Sequence, residues 1–122
     1  MKINLFNKDT DFVNYTAGQT VFREGDEGDK MFAVIEGSVE IIIKGKVVEK
    51  IEEGGVFGEM ALIESRPRVA TALVKTDAKL VPVDHRRFEF LVQQNPFFAL
   101  QLMTIMAGRL RRMDETITPF ES

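Results

Sequence analysis

The hydrophobic period of this chain changes once, just after Pro82-Val83, and that change divides it into a β part and a helical part. Before it, apolar residues alternate with polar ones. Val39, Ile41 and Ile43 fall on one face, and Glu40, Ile42 and Lys44 on the other. Candidate strands are 19–22, 30–35, 38–43, 46–51, 70–75 and 79–83. Glu36-Gly37-Ser38 and Lys44-Gly45-Lys46 read as hairpin turns. Short strands punctuated by glycine specify a sandwich or a barrel. After the change the spacing is helical. Asp84 is a good N-cap, and Phe88, Leu91 and Val92 share a helical face. Asn95-Pro96 breaks the chain, and Pro96 suits the first turn of a second helix that stops at Thr118-Pro119.

That second helix carries two apolar stripes. Ala99, Met103, Met106, Leu110, Met113 and Ile117 follow alternating steps of four and three, the spacing of a helix–helix seam. Phe98, Leu102 and Ile105 form a neighbouring stripe. One stripe can pack on the β part. The other needs a partner, most economically the same helix of a second copy.

A chain of 122 residues suits a single domain spanning 1–122, with a barrel over about 11–83 and helices over about 84–117. The net charge of −3 gives no general attraction to nucleic acid or anionic membrane. The chain has no cysteine, which excludes disulfides and thiolate chemistry and fits a reducing compartment. The N-terminus is too polar for a signal peptide, and no window has the ~18 apolar residues of a membrane span. The expected location is cytoplasmic, with no membrane partner.

The β pattern is interrupted by Val56 to Thr71. This run opens among Gly54, Gly55 and Gly58, passes through a short helix near 58–63, turns at Pro67 and delivers Arg68 just before a strand. Arg68 can hold a phosphate through two parallel hydrogen bonds. Backbone N–H groups around Met60, Ala61 and Leu62 can point at the same oxygens, and Glu59 can accept from a pair of hydroxyls. A ligand with one phosphate and one sugar hydroxyl satisfies both ends. The plainer reading is a structural ion pair between Glu59 and Arg68.

Phe57-Gly58-Glu59-Met60-Ala61-Leu62, then Pro67-Arg68-Val69-Ala70-Thr71, resembles the phosphate-binding cassette of the cyclic nucleotide-binding domain family. The likeness continues upstream through Phe22 to Glu40 and downstream through Phe98 to Glu115, the stretch resembling the subunit-pairing helix of catabolite-activator-type regulators. It covers about 11–117. The resemblance implies a mainly β fold with α-helices: an eight-stranded β-roll or jelly-roll-like double-stranded barrel, a short cassette helix and two C-terminal helices. It places Arg68 on the cyclic phosphate and Glu59 on the ribose 2′-hydroxyl. Gly58 permits close approach to the sugar, the amides of Ala61 and Val69 complete the phosphate cage, and Met60 makes apolar contact near the base. Phe57 and Ala70 complete the candidate site. Some relatives carry Ser or Thr where this chain has Val69. The missing hydroxyl is worth ~1.5–3 kcal/mol at most and tilts the reading towards cAMP over cGMP. Arg112-Met113-Asp114 stands where relatives cap the base with hydroxyl side chains.

The function implied is a cyclic nucleotide sensor that needs no cofactor or metal. It signals by repositioning its C-terminal helices, as a homodimer, to an unidentified effector protein. The alternative is a nucleotide-independent dimeric interaction module of the same fold. An enzyme is not expected: there is no nucleophile–base pair, no metal cluster and no second acid placed near Glu59. His85, the single histidine, reads as a solvated or capping residue, and Arg109, Arg111 and Arg112 as cations favoured by the helix dipole. The chain stops where activator-type regulators begin a helix-turn-helix, so direct DNA binding is not expected.

Overall fold

The computed structural model describes residues 3, 5–6, 11–64 and 66–117, with side chains as far as Arg112. Among these residues six antiparallel strands and three helices follow in the order β1 (Val13–Tyr15), β2 (Thr20–Phe22), β3 (Lys30–Ile43), β4 (Lys46–Ile51), β5 (Val56–Phe57), α1 (Met60–Ile63), β6 (Thr71–Asp84), α2 (His85–Gln94) and α3 (Pro96–Ile117). The sheet order is β1-β6-β3-β4, with β2 also on β6 and β5 also on β3.

The two long central strands organise everything else. Each of β3 and β6 is 14 residues long. Each merges two of the six candidate strands, and β1 and β5 are additional to the candidates, so the described strands number six where the resemblance implied eight. The turn expected at Glu36-Gly37-Ser38 is therefore corrected. The chain runs straight on through an irregularity where the β3–β6 register slips between Val34 and Glu36 and twice more before Val39. Gly37 absorbs that slip with φ of 87°, lying against the backbone of Ala78. The hairpin at Lys44-Gly45 is present, with both residues at positive φ.

Both faces of the central strands are buried, and the two-residue period sorts them into two cores. Phe32, Val34, Leu80 and Phe57 face the inside of the roll with Val39, Ile51 and Val74. Met31, Ala33, Val81, Val83 and Val56 face the other way, towards the helices. Asp84 caps α2 by accepting from the Arg87 N–H at 2.9 Å. Phe88, Leu91 and Val92 of that helix pack on the second core. Pro96 opens α3, and Phe98 and Leu102 are buried against the roll, with Phe98 edge-on to Phe6 and Phe88 at 5.9 Å. Met106, placed on the outward seam by spacing, packs inward with Ile105. No helix among the described residues is long and apolar enough to cross a membrane.

Two glycines separate the cost of backbone strain from the cost of a clash. A Cβ at Gly45 would meet nothing within 4 Å, whereas one at Gly37 would lie 2.8 Å from Ala78 Cα. Gly45→Ala should lose about 1 kcal/mol, the cost of the left-handed conformation alone. Gly37→Ala should lose clearly more, about 3 kcal/mol or above, in urea unfolding. Equal losses would show that the bulge is not held by this close approach.

Candidate functional site

Arg68 is fixed at both its backbone and its side chain. Its N–H donates to Asp26 O and its carbonyl accepts from the Gly25 N–H, each at 2.8 Å. The loop that does this is itself braced, because Asp26 Oδ2 accepts from the Arg23 N–H at 2.9 Å. The acidic loop around Asp26 thus anchors the arginine. The Arg68 guanidinium lies 4.0 Å from the centroid of the Phe22 ring. Nη1 donates to Gly58 O at 2.9 Å and Nη2 to Lys30 O at 2.7 Å. Two glycines make room for it. A Cβ at Gly28 would stand 2.5 Å from the Arg68 Cζ, and one at Gly58 2.9 Å from Nη1. Gly58 has φ of 79° besides, so no other residue suits it. A Cβ at Gly58 would also stand 3.3 Å from the Phe22 ring.

The Arg68 Nε is buried with no hydrogen-bond partner, and Arg68 makes no ion pair among the described residues. Burial pushes its pKa down from the ordinary value. The charges of Asp29, Asp26 and Glu59 act the other way. A guanidinium keeps its proton in any protein environment. The result is a fixed cation with an unused donor, held by carbonyl dipoles and an aromatic face rather than by a carboxylate.

Glu59 is not the partner of Arg68. It is 6% exposed and pairs with Arg109 of α3, whose Nη1 donates to Glu59 Oε1 at 2.5 Å. Arg109 Nη2 donates to Val56 O, and Nε to Glu49 at 2.9 Å and 3.1 Å. The simple Glu59–Arg68 ion pair is therefore excluded. Oε2 of Glu59 accepts no hydrogen bond from any described residue. Sequence reasoning missed Arg109, placing it with Arg111 and Arg112 as helix-end charge. A signal was available: 98, 102, 105 and 109 lie on one face of α3, so the inward apolar stripe ends in an arginine.

The remaining expected residues fall around this pair. Phe57 is buried and stacked on Phe32 at 5.4 Å, closing the roll behind Gly58. Met60 opens α1 and is 42% exposed; the helix starts there rather than near Gly58. Ala61 is buried, and its N–H is turned to Gly58 O at 3.3 Å. Val69 is 67% exposed beside buried Ala70. The capping candidates Met113 and Asp114 lie outside the residues whose side chains are described. On α3, Phe97, Leu100, Met103 and Leu110 are exposed, so the outward stripe includes two of the four seam residues whose side chains are described, Met103 and Leu110. No group of three or more His, Cys, Asp or Glu suited to a metal occurs among the described residues.

The family model described as cyclic nucleotide-binding domain matches residues 12–95. Among solved structures, the Thermus thermophilus catabolite activator protein superposes with a TM-score of 0.79 at 26% identity, covering 90% of this chain. This chain spans 55% of that protein. A cAMP-bound PfPKA-R matches with a TM-score of 0.69 at 26% identity, over 84% of this chain and 36% of the other. PKAR CBD2 with Sp-2Cl-cAMPS bound matches with 0.68 at 26% identity, over 84% and 70%.

Removing Arg109 leaves the Glu59 carboxylate buried without a cation. The full penalty for such a buried charge is about 3–5 kcal/mol. Arg109 and Glu59 side chains are 19% and 8% exposed, so water reaches the pair and the lower end applies. Arg109→Ala should cost ~3 kcal/mol in urea unfolding, and adding Glu59→Gln should restore part of it. Strictly additive losses would mean that the two side chains do not interact in solution.

Proposed function

The chain belongs to the cyclic nucleotide-binding domain family, and we propose that it is a sensor for a cyclic nucleotide, with cAMP preferred to cGMP. The observation that carries this reading is the state of Arg68. Its guanidinium is rigidly held and, among the described residues, has no ion-pair partner and no acceptor for its buried Nε. A phosphate can neutralise the charge of that guanidinium, and Oε2 of Glu59, which accepts from no described residue, can accept from a ribose hydroxyl. Phe57, Gly58, Met60, Ala61, Val69 and Ala70 complete the pocket wall. The cAMP preference rests on Val69, which offers no hydroxyl to a guanine amino group. It draws further support from two similar structures that hold cAMP and Sp-2Cl-cAMPS.

The signalling step would be a population shift. Phosphate on Arg68 draws on the cassette through Gly58 O, and the hydroxyl on Glu59 draws on α3 through Arg109. The exposed face of α3 around Leu100, Met103 and Leu110 would pair two copies or meet an effector protein. The proposed role is a cytoplasmic regulatory one, with no cofactor and no catalysis.

A second reading is favoured by one observation. Arg68 and Glu59 already have partners within the chain, so the site stands without a ligand as far as most of its polar groups are concerned. A dimeric interaction module that ignores nucleotides would look the same. Titration calorimetry with cAMP and cGMP separates the two. Arg68→Ala should weaken cAMP binding by about a hundredfold or more, given ~1.5–3 kcal/mol for each hydrogen bond to a charged group. Affinity kept within a few-fold would remove the phosphate clamp, and no heat from either nucleotide would leave the interaction module. Prolonged incubation with cAMP should return it unchanged; release of AMP would show an enzyme instead.

A further inference from the structure

Glu49 lies on β4 two residues before Ile51 and so on the same face of the strand. Ile51 is buried inside the roll, and alternation calls for an apolar residue at 49. A carboxylate stands there instead, with its side chain only 24% exposed. Both of its oxygens accept from Arg109 Nε, at 2.9 Å and 3.1 Å, and Oε1 is also 3.5 Å from Arg112 Nη2.

The consequence follows from counting donors. A guanidinium has five N–H groups in a rigid fork, and its preferred engagement of a lone carboxylate is bidentate, taking both oxygens. Arg109 does not do this to Glu59. Its Nε is taken by Glu49 and its Nη2 by Val56 O, and Nη1 alone reaches Glu59, at Oε1. Glu59 Oε2 is left open as a result. We propose that Glu49 is a positioning residue for the ribose end of the site. It holds Arg109 by Nε, so that Arg109 neutralises Glu59 through one oxygen and leaves the other for a ligand hydroxyl. Without Glu49 the fork is free to rotate onto both oxygens of Glu59 and close the acceptor. The proposal rests on the nucleotide-sensor reading above, but it concerns selectivity for a vicinal hydroxyl rather than binding of the phosphate.

The test compares affinities for cAMP and 2′-deoxy-cAMP in the whole chain, for wild type, Glu49→Ala and Glu49→Gln. Wild type should favour cAMP by about tenfold or more, as expected for a hydrogen bond to a charged acceptor. Glu49→Ala should bring the ratio to within about threefold of one, with the affinity for 2′-deoxy-cAMP changed by less than about threefold. Glu49→Gln, which keeps an acceptor for Nε without the charge, should fall between them. A merely structural Glu49 would weaken both ligands together and leave the ratio alone, and that result overturns the proposal. So does an unchanged ratio in Glu49→Ala with wild-type affinities. A wild type that binds neither ligand fails at the sensor reading and takes this proposal with it, a failure visible before any variant is made. One measurement needs no nucleotide. The Arg109 Nε–H should exchange with water more slowly than that of exposed Arg111, and lose its protection in Glu49→Ala. Equal exchange of the two in wild type would show that Glu49 does not hold Arg109.

Discussion

A guanidinium laid against a phenylalanine ring loses water on one side, and Arg68 recovers only part of what it loses. Two backbone carbonyls, those of Gly58 and Lys30, take its Nη atoms, and Nε is left over. Carbonyl dipoles satisfy N–H groups without cancelling a charge. The site therefore keeps most of a positive potential at a fixed place, where a contacting carboxylate would have quenched it. The surrounding features follow from that arrangement. Gly28 and Gly58 lack side chains where the guanidinium passes. The acidic loop clamps the Arg68 backbone, while its carboxylates stay beyond contact and act on the arginine only at a distance. Phe22 is in turn backed by Phe32 and Phe57 at 6.1 Å and 5.9 Å, so the aromatic platform is part of the inner core.

The second charged group of the site is wired differently. Glu59 reaches across to α3, a helix that begins 37 residues further on, through an arginine that also grips β4 and β5. A chain of alternating charge, Glu59–Arg109–Glu49–Arg112, runs from the cassette to the edge of the roll. Buried ion pairs add little net stability, because desolvation offsets the attraction. Their value lies in fixing one arrangement, and here the arrangement fixed is the docking of α3 over the cassette. Phe98 and Leu102 supply the apolar adhesion of that helix, and Arg109 supplies its registry.

The local features were legible from sequence because each depends on neighbours in the chain. The Asp84 cap, the break at Asn95-Pro96 and the cassette order from Gly58 to Arg68 are of this kind. What depended on contacts across the fold was hidden. Glu36-Gly37-Ser38 has the composition of a turn, yet β6 runs alongside and the chain extends through it with a bulge, since pairing with a long neighbour outweighs local turn preference. The roles of Glu49 and Arg109 could not be read from local pattern, because a charge at an inward position is interpretable only once its partner, 60 residues away, is known. The same holds for Arg68 and Glu59, which spacing paired with each other and the fold pairs with other groups.

The two halves of the site bound what a ligand can do to the helix. On the sensor reading, a hydroxyl arriving at Glu59 Oε2 contributes ~1.5–3 kcal/mol at most. Turning a 1:99 equilibrium into 99:1 requires about 5.5 kcal/mol of differential affinity. The ribose end alone therefore cannot drive a complete switch of α3, even though it is the end wired to that helix. The phosphate end has to contribute, and the connection open to it runs through Gly58, whose carbonyl is held by Arg68 and whose successor in the chain is Glu59. A ligand bridging both ends would load the Gly58–Glu59 peptide from two sides, and Arg109 would pass the combined load to α3. By reciprocity, whatever covers the outward face of α3 and holds that helix in its docked position must raise affinity for the ligand by the same factor. On the sensor reading, covering Leu100, Met103 and Leu110 and filling the site between Arg68 and Glu59 would then be two ways of stabilising one docked state.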